Sequence, residues 1–254
     1  MKLMSYNILN GAKDTLPLVI KAIKSESPDY LTINEANTFA SNNNEILDKV
    51  AKELDFPYFD IALSGEYDYH VAVFSKYPFL EIHKLQPLAR ACLVTRIKTE
   101  IGELTIASLH LTPYTEDLRH PEIDLITKFQ KKYVNKILMG DMNSLSKYDG
   151  YDSKIIKTFN DMQIKKFTTG GKFRFDAINK IMSVGYYDSA FEMKKNKDYT
   201  APTSINEYSA HSNMRLDYIF LSKSLLNHLK DYFVIKNNIT KKASDHYPIT
   251  IELK

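Results

Sequence analysis

The stretch Lys136-Ile137-Leu138-Met139-Gly140-Asp141-Met142-Asn143 runs a short strand-forming segment into a glycine, then spaces a carboxylate and an amide one residue apart. The same grammar recurs along the chain. Ser5-Tyr6-Asn7-Ile8 closes a first run on an amide, and Thr32-Ile33-Asn34-Glu35 closes a second on a carboxylate. Ser108-Leu109-His110-Leu111 ends a third on an imidazole. Arg215-Leu216-Asp217-Tyr218 sets a carboxylate within a fourth, and Ser244-Asp245-His246-Tyr247-Pro248 opens the last. Strand ends are where a rigid sheet can aim side chains from several loops at one point.

Working outward, β-rich runs bounded by Gly, Pro, Asn or Asp predict strands over 3–8, 30–33, 71–75, 93–97, 104–109, 136–139, 216–221, 232–235 and 247–253. Ile101-Gly102-Glu103 reads as a hairpin turn. Helical periodicity is rarer. It predicts helices over 15–25 (Leu16, Val19, Ile20 and Ile23 on one face), 44–54, about 116–133 and 153–162. In the third, Leu118, Leu125, Ile126 and Phe129 share a face and Pro121 falls near the first turn. Strands punctuated by helices suit an α+β arrangement of two packed sheets with helices outside. No repeat, low-complexity tract or linker divides the chain, so one domain over residues 1–254 is expected.

Composition sets the class. The chain has 254 residues, 44% hydrophobic and 26% charged, an ordinary globular balance. No apolar run reaches the roughly 20 residues of a membrane span. The N-terminus turns polar too soon for a signal peptide, so a cytoplasmic protein is expected. A single cysteine, Cys92 in an apolar run, excludes an intramolecular disulfide and a multi-cysteine zinc site. Net charge is only +3. That leaves the partner open, because the charge that matters can be local.

Carboxylates and amides with scattered histidines suit a hard, oxygen-preferring cation such as Mg²⁺ or Mn²⁺. Singly, each element has a bland reading: Asn7 as a turn former, Glu35 as a solvated carboxylate, Asp217 as the surface ion-pair partner of Arg215. In this order they resemble the endonuclease/exonuclease/phosphatase superfamily, whose members include deoxyribonuclease I and abasic-site endonucleases. The resemblance runs from Asn7 to His246, and Gly140-Asp141-Met142-Asn143 and Ser244-Asp245-His246 carry most of it.

The resemblance implies a four-layer αββα sandwich of two mixed sheets with the site at one edge. It implies Glu35 as principal metal ligand, with Asn7 and Asp245 at the metal or its waters. Asp141 would orient or deprotonate the attacking water, and Asn143 would hold the phosphate or that water. His246, partnered by Asp217, and His110 would contact the scissile phosphate. Arg90 is either a further phosphate contact or a surface arginine. The implied activity is Mg²⁺- or Mn²⁺-dependent hydrolysis of phosphate esters by a monomer, with nucleic acid as the leading substrate. Phospholipid, inositol-phosphate or other small phosphoesters are the alternative, and a non-catalytic phosphate-binding module the second.

Two departures from the family pattern argue against an abasic-site enzyme. Asn7-Ile8-Leu9 lacks a carboxylate two residues after the amide, and Ser108-Leu109-His110-Leu111 stands where a tyrosine motif is usual. Asn34 replaces the usual Gln before Glu35 and keeps an amide. Tyr114, Tyr148, Tyr151, Phe173 and Phe175 are candidates for the site's border. Lys172, Arg174 and Lys180 are candidates for a basic contact. His70 is either a neighbour of His110 or an idle strand-edge residue. His211, like His83, His120 and His228, carries no motif.

Overall fold

Residues Lys2–Asn7 are almost wholly buried on both faces, which sets the architecture: a strand with two dry faces needs a layer on each side. The computed structural model describes residues Met1–Lys254. Strands are β1 (Lys2–Asn7), β2 (Tyr30–Asn34), β3 (Tyr58–Ala62), β4 (Val71–Ser75), β5 (Phe79–Leu85), β6 (Ala91–Thr99), β7 (Gly102–His110) and β8 (Lys136–Asp141). A small hairpin, β9 (Thr168–Thr169) and β10 (Lys172–Phe173), precedes β11 (Tyr186–Asp188), β12 (Asp217–Ser222), β13 (Leu229–Val234) and β14 (Ile249–Leu253). The α-helices are α1 (Leu16–Glu26), α2 (Glu45–Leu54), α3 (Glu116–Gln130), α4 (Asp161–Phe167), α5 (Asp176–Ser183), α6 (Ser189–Glu192) and α7 (Thr240–Ala243).

Two six-stranded mixed sheets result, ordered β13-β14-β1-β2-β4-β3 and β11-β12-β8-β7-β6-β5. Each has one parallel pair at its centre, β1 with β2 and β7 with β8, and antiparallel pairs elsewhere. Leu3, Val71, Val73, Ile249 and Ile251 of the first sheet meet Leu93, Ile106, Ile137, Met139 and Ile219 of the second. The opposite face of the first sheet packs Met4, Tyr6 and Ile33 against Val19, Ile20 and Val50 of α1 and α2. The outer face of the second packs Val94, Ala107 and Leu138 against Ile123, Ile126 and Ile178 of α3 and α5. The expected αββα order is therefore present. No helix is long and apolar enough to cross a membrane.

Several expectations need correction. Leu118 does not join the buried face of α3 but is 51% exposed. That face instead buries Glu116, Arg119 and Glu122, whose side chains hold loops rather than fill a core. Glu122 accepts from Ala89 N and Thr112 N, both at 2.9 Å. The helix expected over 153–162 is a 3-10 turn, Ser153–Thr158, that breaks before α4. Asn160 makes the break: its side chain accepts from Gln163 N while the Gln163 side chain accepts from Asn160 N, a reciprocal N-cap. The last strand starts at Ile249, so Asp245 and His246 lie in the loop before it. Strands β3, β5 and β11 and helix α5 carried no sequence signal strong enough to be expected.

Candidate active site

The parallel central pairs end at the same edge of the sandwich, and amides stitch the sheets together there. Asn34, the last residue of β2, donates to Leu109 O at 2.8 Å and accepts from Asp141 N at 3.2 Å. Gly140 permits this approach. It lies opposite Leu109 in the β7–β8 ladder at φ 143°, and a Cβ there would sit 1.8 Å from Leu109 O. His110, Asp141 and Asp217 follow in register across β7, β8 and β12, which aligns three functional groups side by side. Ser244 Oγ donates to Asn7 O at 2.7 Å and pins the loop carrying Asp245 and His246 to the end of β1.

Asn7, Glu35, His110, Asp141, Asn143, Asp217, Asp245 and His246 meet here. Asn7 Nδ2 donates to Glu35 Oε1 at 3.2 Å and to Asp141 Oδ2 at 3.1 Å, so it joins two carboxylates through its nitrogen. Its oxygen accepts from Leu9 N at 3.1 Å. Glu35, in a left-handed conformation (φ 57°) just after β2, also accepts from Asn10 N at 2.9 Å. Asp141 Oδ1 accepts from Asn143 N at 2.8 Å, and His110 Nε2 stands 3.5 Å from Asp141 Oδ2. His246 Nδ1 lies 2.7 Å from Asp217 Oδ2, the buried pair the sequence suggested. Asn143 donates to Leu111 O at 2.9 Å and accepts from Lys166 Nζ.

The electrostatics divide the two imidazoles. Burial opposes a charge on His246, but the carboxylates of Asp217, Asp245 and Asp141 outweigh it and hold the ring's pKa up to about 10. Burial wins at His110, pushing it down to about 3 against the pull of Asp141. Burial would raise Asp141, yet His110, His246 and Lys166 hold it near 2. Glu35 is raised, by burial first and then by the Asp245 carboxylate. Asp245 stays below its usual range in spite of burial, because His211 and His246 face it.

Around these groups is a cavity of about 590 Å³, lined also by Arg90, Tyr69, Tyr114, Met162, Lys166 and His211. Arg90 is not a surface arginine: it is 6% exposed and stacks 4.0 Å above the Tyr69 ring. Arg215 does not pair with Asp217 at the surface. It is buried and bonded to Asp149 and Asp188 at 2.7 and 2.6 Å. Arg174 and Lys180 are spent on Asp117 and Asp124. Of the candidate border aromatics Tyr114 lines the cavity, while Tyr151, Phe173 and Phe175 pack on a small apolar cluster with Phe167 and Leu216. His70 is tied to its own loop, accepting from Ser64 N at 3.1 Å.

Sequence reasoning missed two residues. His211 Nε2 lies 3.1 Å from Asp245 Oδ2, with its ring edge-to-face to His246 at 5.0 Å. Lys166 enters from the far end of α4. Neither stands near a motif, and the only local hint was the lysine's position in the last turn of a capped helix.

Donor atoms of His211, Asp245 and His246 lie within 4.8 Å of one another, as do those of Asp141, Asp217 and His246. Both sets borrow His246, whose Nδ1 is taken up by Asp217, while Glu35 and Asp245 line the same cavity with oxygen donors of the kind a hard cation takes.

Residues 4–246 match the family described as Endonuclease/Exonuclease/phosphatase. No curated protein matches the sequence. Among solved structures, an endonuclease/exonuclease/phosphatase family protein from Leptotrichia buccalis is 20% identical at a TM-score of 0.71, covering 100% of this chain and 99% of its own. The 3′ phosphatase NExo from Neisseria, bound to product DNA hairpin, is 17% identical at 0.72 with the same coverage. An AP endonuclease from Archaeoglobus fulgidus is 18% identical at 0.74, again over 100% and 99%. At these identities the likeness is one of fold. The match over residues 4–246, carried on this sandwich and its edge site, makes the chain a member of the Endonuclease/Exonuclease/phosphatase family of phosphoester hydrolases.

Proposed function

We propose that the protein is a divalent-metal-dependent phosphodiesterase acting on nucleic acid, with residues 1–254 as one catalytic unit. The observation that carries this reading is the convergence of Asp141, His246 and His110 on one cavity, where their neighbours hold the Asp141 carboxyl low and the His246 ring high while burial holds His110 low. Glu35 and Asp245, with Asn7 beside them, would hold Mg²⁺ or Mn²⁺. The donor set fits: these are hard oxygens, and a carboxylate raised by burial first and then by its carboxylate neighbour is what a divalent cation relieves. When bound, the ion neutralises charge on the phosphate oxygens as a Lewis acid.

The chain's own residues supply the rest. Asp141, aimed by Asn7 Nδ2 and Asn143 N, orients a water and accepts its proton as the water attacks phosphorus; the ester P–O bond opposite the water breaks, and the departing oxygen takes a proton from solvent. His246 carries its proton below about pH 10 and donates from Nε2 to a non-bridging oxygen, while Asp217 fixes the ring through Nδ1. His110 adds a neutral donor beside Asp141. Arg90, stacked on Tyr69, offers its guanidinium to a neighbouring backbone phosphate. Nucleic acid as substrate draws support from the DNA-bound 3′ phosphatase and the AP endonuclease that share the fold. A non-catalytic binding module would have no need of a complete acid–base set.

The test is incubation with supercoiled plasmid and end-labelled oligonucleotide in Mg²⁺ or Mn²⁺, with Asp141→Asn as control. Cleavage lost in the control supports a nuclease, and the ladder separates internal from terminal cutting. Intact nucleic acid beside hydrolysis of a small phosphoester would move the substrate class to the latter.

A further inference from the structure

Four lysine or arginine side chains are buried in the protein: Arg90, Arg119, Lys166 and Arg215. The two that stand away from the cavity are paired with carboxylates, Arg119 with Glu116 at 2.9 Å and Arg215 with Asp149 and Asp188. The two that line the cavity, Arg90 and Lys166, have no carboxylate oxygen within 4.0 Å. A buried cation without a counter-charge is costly in a folded chain. An anion entering the cavity would offset that cost.

Lys166 is the more telling of the two. It is 8% exposed; its Nζ makes one hydrogen bond, to the neutral Asn143 Oδ1, and otherwise lies 5.1 Å from the centre of the Phe167 ring. An ammonium has three N–H donors, so two remain for the cavity. The backbone that carries it is held by its neighbours. Arg119 donates to Lys166 O at 3.4 Å, and the next residue, Phe167, packs in the apolar cluster with Leu145 and Leu216. Gln163 Nε2 bonds Ala210 O and Ser212 Oγ at 3.3 and 2.9 Å, which latches α4 to the loop carrying His211.

We infer that Lys166 is a direct phosphate ligand, donating to a non-bridging oxygen from the wall formed by α4 while His246 donates from the loop before β14. This rests on the phosphoesterase reading and adds to it a contact that neither the Gly-Asp-x-Asn stretch nor the Ser-Asp-His stretch supplies. It also explains Asn143: the amide oxygen parks the ammonium and leaves its remaining protons for the phosphate.

The test is calorimetric titration of inorganic phosphate in Mg²⁺ into the wild-type protein, Lys166→Met and Lys166→Gln. Glutamine keeps a donor for Asn143 Oδ1 but carries no charge. Both variants are expected to bind phosphate about 10- to 100-fold more weakly, the scale of a charge-assisted hydrogen bond. If Lys166→Gln matched the wild type and only Lys166→Met weakened, the lysine would be a prop for Asn143 and the inference would fall alone. A wild-type protein that neither binds phosphate nor cuts oligonucleotide would overturn the phosphoesterase reading together with it.

Discussion

Asp141 receives hydrogen bonds from Asn7 Nδ2 and Asn143 N and faces His110 within 3.5 Å, so its carboxylate is aimed before any substrate arrives. Asp141→Asn keeps the shape and removes the base. Turnover should fall about 10²- to 10⁴-fold, the range for loss of a general base, with an unchanged circular dichroism spectrum. A variant that cuts at the wild-type rate would end that role. Asp217→Asn acts on the neighbouring ring. With the carboxylate gone, burial works against a charge on His246, so its pKa should drop from about 10 toward the ordinary imidazole range. Imidazole ¹⁵N shifts followed through pH would report it, and an unmoved midpoint would clear Asp217 of that part. Glu35 and His246 were legible in the sequence because each follows an amide or a carboxylate, Asn34 and Asp245, near a strand end, and Asp141 because it ends a strand within Gly-Asp-x-Asn. Lys166 and His211 were not, since their contribution depends on α4 and the 206–211 loop lying across the cavity. Arg90 and Arg215 were undecided or misplaced for a related reason: burial of a guanidinium is a tertiary fact.

Strands β7 and β8 place His110 and Asp141 side by side only because Gly140 lets the two backbones close up. Gly140→Ala would force a Cβ to within 1.8 Å of Leu109 O at φ 143°, against backbone rather than a movable side chain. The expected cost is about 2 kcal/mol or more, from strain at a positive φ and a displaced ladder. A urea unfolding curve checks it: an unshifted midpoint would mean the ladder relaxes freely. At this scale the central strands were readable, since those buried on both faces are rich in apolar residues interrupted mainly by small hydroxyls such as Ser5, Thr32 and Ser108. Strand β5, Phe79–Leu85, was hidden by charge at Glu81 and Lys84 on an alternating, half-exposed edge. The boundary between the Ser153–Thr158 turn and α4 was hidden by apolar spacing that runs through it, while the Asn160–Gln163 cap decides where the helix begins.

The four layers present a hard edge on which acids are gathered before they are neutralised. Glu35 is raised by burial and by Asp245, so holding it ionised costs the empty protein stability, and a bound divalent ion returns it. If Glu35 and Asp245 hold the proposed cation, folding stability should rise with the metal. At a Mg²⁺ concentration about 100 times its dissociation constant, mass action adds about 2.7 kcal/mol to the folded state. For a chain of 254 residues that corresponds to a rise in Tm of about 5–10 °C. Glu35→Gln removes a charged ligand but keeps an acceptor for Asn10 N, so the variant should fold while losing most of the metal-dependent rise. Parallel melts with Mg²⁺ and with a chelator decide it without any assay of activity. Equal shifts in the wild type and Glu35→Gln would take Glu35 out of the metal site, and no shift in either would place the cation's binding after substrate phosphate has entered.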